Sequence, residues 1–222
     1  MYYNYPLVNN GNEPFPLFFN TNVSFDLNKD KKVAIVASSG TLLDNEFGDE
    51  IDKHDIIIRF NASRVKGYEK HVGSRTDIRI FNGHAFNGDT DEKICLGHDK
   101  SFVPSLENEH FLIKSWNYKQ FYEGIFNCIN KNYINFVHPQ FLRCCNDLVS
   151  KNEASAGLVG VILATTLGVK PTLYGFGFYS ESNDKVHYWE DVNPTWKTGH
   201  GFNEEKLIMD RLANQDLIKI RK

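Results

Sequence analysis

Apolar and polar positions along the chain switch period several times. The segment "KKVAIVASSG" (31–40) has a short apolar run closed by small residues, which predicts a buried strand entering a tight turn. "HDIIIRFN" (54–61) repeats the pattern, with Arg59 and Asn61 at the strand end. "TDIRIFNG" (76–83) alternates polar and apolar residues and predicts a third strand. "HFLIKSW" (110–116) and "INFVHP" (134–139) predict two more, and "NYKQFYEGIFNCINKN" (117–132) between them has helical spacing. In "NEASAGLVGVILATTLGVKPTLYGFGF" (152–178), Ser155 is placed to cap a helix over 156–167 that Gly168 closes. A buried strand ending in glycines follows. "NEEKLIMDRLANQ" (203–215) predicts a last amphipathic helix, with Asn203 as N-cap and acids in its first turn.

Strands and helices therefore alternate. That order predicts an α/β fold with a Rossmann-like, mostly parallel sheet and helices on both faces. No repeat, low-complexity tract or linker divides the chain, which predicts one domain over 32–222. Residues 1–31, polar and aromatic with Pro and Asn, read as an irregular N-terminal arm.

Composition narrows the function classes. A chain of 222 residues with 41% apolar residues can bury a full core. A net charge of −3 lacks the dense basic face of a general nucleic-acid binder. Cys95, Cys128, Cys144 and Cys145 form no CxxC pair and read as buried thiols in a reducing compartment. The start of the chain has no basic region followed by an unbroken apolar run, and "GLVGVILATTLGV" (157–169) is too short to span a bilayer. These features set the expectation of a soluble, cytoplasmic protein without a transmembrane segment.

Candidate chemistry sits at strand ends. "ASSG" (37–40), "RFNAS" (59–63) and "YGFG" (174–177) combine small and polar residues, and "SAG" (155–157) opens a helix. Small residues let a ligand reach backbone N–H groups, and a helix N-terminus favours anions. Together they point to a nucleotide or sugar-phosphate ligand. Neither GxGxxG nor GxxxxGK[ST] occurs. "DTD" offers Asp89 and Asp91 as a metal-binding pair, but within a hydrophilic turn. His187, His200 and Glu205 lack the one-helix spacing of HExxH. His200 directly precedes a helix N-terminus, whose dipole favours a neutral imidazole able to accept a proton, and Glu205 is placed to brace it.

In order along the chain, four segments resemble the sialylmotifs L, S, III and VS of the animal-type sialyltransferases. "VAIVASSGTLLDNEFGDEIDKHDIIIRFNASRVKGYEKHVGSRTD" resembles motif L, and "SAGLVGVILATTLGVKPTLYGFGF" resembles motif S. "HYWE" (187–190) resembles motif III, and "HGFNEE" (200–205) resembles motif VS. The resemblance implies a variant glycosyltransferase-A-like fold and inverting transfer of sialic acid from CMP-sialic acid to a hydroxyl of a glycan or glycolipid. It implies no essential metal and no further cofactor, and the net charge already sets the expectation of no nucleic-acid partner. His200 then matches the general base and His187 the group that hydrogen-bonds the departing phosphate. Ser38, Ser39, Gly40, Asn61, Ser155, Ala156, Gly157, Phe176 and Gly177 match positions that line the donor, and Glu205 is the supporting acid of motif VS. Ser38 and Ala156 depart from the family pattern, which has asparagine and a hydroxyl residue there. Val33 and Gly168 replace the cysteines that join motifs L and S in secretory members, which implies synthesis outside the secretory pathway. Transfer of another CMP-activated 2-keto acid sugar such as Kdo, and a non-catalytic CMP-binding module, are the alternatives.

Overall fold

A computed structural model describes residues 27–82, 109–114, 134–150, 153–177, 185–189 and 201–221. Within these the backbone is organised around one seven-stranded sheet. Its strands are β1 (Val33–Val36), β2 (Ile56–Phe60), β3 (Ile78–Asn82), β4 (His110–Lys114), β5 (Ile134–Phe136), β6 (Thr172–Tyr174) and β7 (Lys219–Ile220). Their order is β5-β4-β3-β2-β1-β6-β7, and every pairing is parallel.

The apolar runs explain the parallel sheet. A strand covered on both faces needs apolar residues at successive positions. All four residues of β1 are buried, as are four of the five in β2. On one face Val33, Ile35, Ile58, Ile80, Leu112 and Leu173 pack with three helices: α3 (Pro139–Asp147), α4 (Ala156–Thr166) and α5 (Phe202–Asn214). On the other face Ala34, Val36, Ile57 and Tyr174 meet Leu42, Ile51, Val72 and Tyr188. Shorter elements supply that cover: a 3-10 helix at Gly40–Asp44, α1 (Gly48–Ile51) and α2 (Glu69–Val72).

The chain builds outward from β1 to β5 and then returns to the other side of β1 with β6. That reversal places a switch point between β1 and β6, where open α/β sheets bind ligands beyond the carboxyl ends of their strands. The helix that makes the return and leads into β6, α4, is seated closely. A Cβ at Gly160 would lie 3.0 Å from the Phe60 ring and 3.1 Å from Ile80 Cδ1, so glycine lets α4 rest directly on β2 and β3. Its first residues consequently sit at the ligand-binding end of the sheet.

The predicted strands are present, with two adjustments at helix ends. Ser155 caps α4, and its hydroxyl accepts from the Leu158 amide at 3.1 Å. The helix ends at Thr166, one residue before the predicted end, and Gly168 follows with φ 77°. In α5 the predicted N-cap is corrected. Asn203 lies inside the first turn, the N-cap is Gly201, and no side chain caps it. Gly201 gives the chain its entry without a hydroxyl or amide partner.

Helix α3 and strand β7 were not anticipated. Proline at its first position and His138 as N-cap start α3, and the His138 ring accepts from the Gln140 amide at 3.2 Å. β7 is too short for a periodicity signal and exists through pairing with Thr172 and Leu173. The predicted helix over 117–132 and residues 1–26 of the predicted arm lie outside the described residues.

Candidate active site

The loops after β1 and β6 are joined by backbone bonds at the switch point. Ala37 N–H donates to the Tyr174 carbonyl at 2.8 Å, and Ser39 N–H donates to that of Gly175 at 3.2 Å. Gly175 has φ 69°, a left-handed conformation that suits glycine. A side chain at Gly177 would overlap Ser39, so the two loops touch only because that position has none. Ser39 is buried, and its hydroxyl accepts from Thr41 N–H at 3.3 Å, capping the 3-10 helix.

The 185–189 segment lies across these loops. Gly40 N–H donates to the Lys185 carbonyl at 2.8 Å, and Tyr188 N–H donates to the Ser38 carbonyl at 2.9 Å. His187 therefore sits between two residues bonded to the "ASSG" turn. Its ring stacks on Trp189 with centroids 4.6 Å apart and planes 2° from parallel. Tyr188 is buried in the core, where its hydroxyl donates to the Arg64 carbonyl. Burial pushes its phenol up to about 12, so it serves there as a neutral anchor.

Helix α4 approaches the same place. A Cβ at Gly157 would lie 3.2 Å from the Phe176 ring and 3.4 Å from the Ser155 hydroxyl. Phe176, Gly157 and Ser155 are therefore neighbours. Ser155 itself is held by Glu205 from the first turn of α5. Its N–H donates to Oε1 at 2.7 Å and its hydroxyl to Oε2 at 2.6 Å. Both donors of Ser155 are thus used within the protein. The next two amides, of Ala156 and Gly157, stand at the helix positions that have no intrahelical acceptor, the arrangement that receives anions.

Asn61 stands one strand away, after β2, with φ 44°. Non-glycine residues rarely adopt this conformation, and it persists where surroundings enforce it. Here Arg79 does so. Its Nη1 donates to the carbonyls of Asn61 at 2.9 Å and Ser63 at 3.0 Å. Its other nitrogens pair with Glu109 at 2.5 and 3.0 Å, and both residues are buried.

The structure therefore brings Ser38, Ser39, Gly40, Gly157, Phe176, Gly177 and His187 to one rim, with Ser155 and Ala156 at the adjoining helix end. Asn61 stands at the same end of the sheet. Glu205, expected to brace His200, is buried and directed at Ser155. His200, Asp89 and Asp91 lie outside the described residues. Among the described residues no group of three or more His, Cys, Asp or Glu is arranged to hold a metal. Sequence reasoning missed Arg79, Glu109 and Lys114. The available signal was charge inside apolar strands: Arg79 in "IRIFN" and Lys114 closing "HFLIK".

Comparison with known proteins agrees with this geometry. The family model described as "Glycosyltransferase family 29 (sialyltransferase)" matches residues 6–217. The beta-galactoside alpha-2,6-sialyltransferase 2 of Bos taurus is 28% identical over 208 residues, covering 81% of this chain and 40% of the relative. Its Homo sapiens counterpart is 27% identical over 202 residues, covering 82% of this chain and 38% of the relative. The chain thus spans about two fifths of the length of these relatives. The crystal structure of a mammalian sialyltransferase superposes with a TM-score of 0.66 at 23% identity, covering 86% of this chain and 69% of that one.

These relatives correct one expectation. They are animal sialyltransferases of the secretory pathway, so the cytoplasmic location read from the sequence does not hold. Val33 opens β1, which pairs in parallel with β6, the strand that follows Gly168. Among the described residues no helix is long and apolar enough to cross a membrane. With a family model covering nearly its whole length, the chain belongs to glycosyltransferase family 29, the sialyltransferases.

Proposed function

We propose that this protein transfers sialic acid from CMP-sialic acid to a hydroxyl of a glycan or glycolipid, with inversion and without a divalent metal. The observation that supports this most is the joining of three segments at the β1/β6 switch point: the "ASSG" turn, the "YGFG" turn and the segment carrying His187. A nucleotide monophosphate suits that rim. The Ala156 and Gly157 amides, with the positive end of the α4 dipole, offer donors to a phosphate, and the half-buried Phe176 ring offers a flat apolar wall.

In this reading His200 removes the proton from the acceptor hydroxyl. The oxygen attacks the anomeric carbon from the face opposite the nucleotide, and the bond to the phosphate oxygen breaks. His187 donates a hydrogen bond to that phosphate as its charge grows. Electrostatic stabilisation of a leaving phosphate by positioned donors takes the part a cation plays elsewhere. The donor positions all fall within residues 32–222, the proposed catalytic domain.

The test is release of cytidine monophosphate from CMP-sialic acid in the presence of a galactoside acceptor, with excess EDTA. Wild-type turnover and its loss in His200→Ala, by roughly a hundredfold or more for a general base, support the proposal. Retained nucleotide binding in that variant places the loss in the chemistry. Release only from CMP-Kdo reassigns the sugar. Nucleotide binding with no transfer to any glycan makes the protein a binding module.

A further inference from the structure

We infer that Lys114 is a positioning residue for the donor site, holding the entry to α4 against the α5 segment that carries Glu205. The inference rests on the proposed reading of the α4 N-terminus as the phosphate-binding end. Lys114 closes β4 and is 6% exposed. Its Nζ donates to the Ala154 carbonyl at 2.5 Å. The Ala154 carbonyl and the Ser155 N–H are the two polar ends of one peptide group, so Lys114 and Glu205 hold that group from both sides just before the Ala156 and Gly157 amides.

Charge gives the arrangement a second function. A buried carboxylate is costly unless a cation or several donors face it. Glu205 is buried, and the groups acting on Lys114 are Glu205 from α5, Glu153 from the approach to α4, and Cys145 from α3. Burial pushes the Cys145 thiol up to about 12, so it is neutral there. Lys114 therefore supplies a favourable positive charge to buried Glu205 and, more weakly, to exposed Glu153. The hydrogen bond to Ala154 joins β4 to the turn before α4. Strand β4 is thereby coupled to the proposed phosphate cradle, although it contributes no residue to the rim.

The test compares wild type with Lys114→Met, which removes charge and donor, and Lys114→Gln, which keeps a donor to Ala154. Cytidine monophosphate is titrated calorimetrically against the full chain, with the folded fraction set by thermal melting. The expected result is about tenfold weaker nucleotide binding and a matching rise in donor KM for Lys114→Met, as for a displaced binding group. Acceptor KM stays unchanged, and Lys114→Gln falls between. A purely structural role instead lowers the folded fraction and kcat while leaving both KM values in place. Combining Lys114→Met with Glu205→Gln is expected to cost less than the sum of the two, because each removes the other's counter-charge. Should Lys114→Met not fold, Lys114→Gln and Lys114→Arg carry the comparison. Unchanged affinity in the variants beside a binding wild type overturns the role of Lys114 and leaves the donor site standing. Wild-type protein that binds no cytidine monophosphate overturns the donor site, and the role of Lys114 with it.

Discussion

The Glu205 carboxylate accepts both hydrogen-bond donors of Ser155, its N–H at 2.7 Å and its hydroxyl at 2.6 Å. The same hydroxyl accepts from Leu158 N–H as the helix cap, so one serine ties α5 to the first turn of α4. A motif VS acid thus supports the motif S helix, and with it the proposed phosphate-binding amides.

Removing that carboxylate leaves two part-buried donors without their acceptor. Glu205→Ala is expected to lower unfolding stability by about 1–3 kcal/mol, from the loss of two charge-assisted hydrogen bonds to part-buried donors. Glu205→Gln keeps one acceptor and should lose less. Urea denaturation measures both. A loss below the scatter of the method in Glu205→Ala would show that water replaces the carboxylate without cost.

Gly177 faces Ser39 with no room for a side chain. Gly177→Ala is expected to cost about 1–3 kcal/mol, as overpacking does in a closed region. Because the strain falls on the turn that meets 185–189, nucleotide affinity should fall as well. Gly157→Ala has more space, 3.2 Å to a ring edge, and should affect nucleotide binding more than melting. Thermal melting with and without cytidine monophosphate separates the two.

Arg79 and Glu109 form a buried pair whose guanidinium also holds the Asn61 and Ser63 carbonyls. Glu109→Gln leaves that cation without its counter-charge. Breaking a buried pair from one side costs about 3–5 kcal/mol. The expected accompaniment is faster amide hydrogen exchange across 61–63. Unchanged exchange there would mean that Asn61 keeps its left-handed backbone without Arg79.

His138 should make stability pH-dependent. Burial lowers its pKa below the ordinary 6.5, and its Nδ1 must be unprotonated to accept from Gln140. Its folded pKa is depressed and the cationic form is the disfavoured one. The stabilising contribution is therefore complete above pH 6.5 and is lost as pH falls through 6.5 towards the folded value. Replacing His138 by Asn, a capping residue that does not titrate, should flatten the decline between pH 7.5 and 5.5. Equal slopes for wild type and variant would remove His138 as the source.

Local pattern carried much of this molecule. Continuous apolar runs marked β1, β2 and β6 because strands covered on both faces require them. Ser155 and Gly168 marked the ends of α4 because a cap and a left-handed closing residue are local chemistry. Asn203 misled because a capping side chain directly before two acids looks like an N-cap, while the backbone starts the helix after Gly201. The order of the four motifs named the family without any coordinates.

What the pattern could not contain was partnership. Periodicity tells a residue which face to bury and says nothing about which strand will lie beside it. Only the folded sheet shows that β6 crosses back to join β1 and opens a switch point there. β7, two residues long, exists only through its neighbour. Glu205 meets Ser155 across 50 positions of chain and Lys114 meets Ala154 across 40, and nothing local in either segment specifies the other. The sequence by itself determined which residues would be strands, caps and motif positions, because those follow from neighbours within a few residues. The tertiary structure alone decided which of them face one another, because burying a charge or a donor obliges the fold to find its partner wherever the chain has placed it.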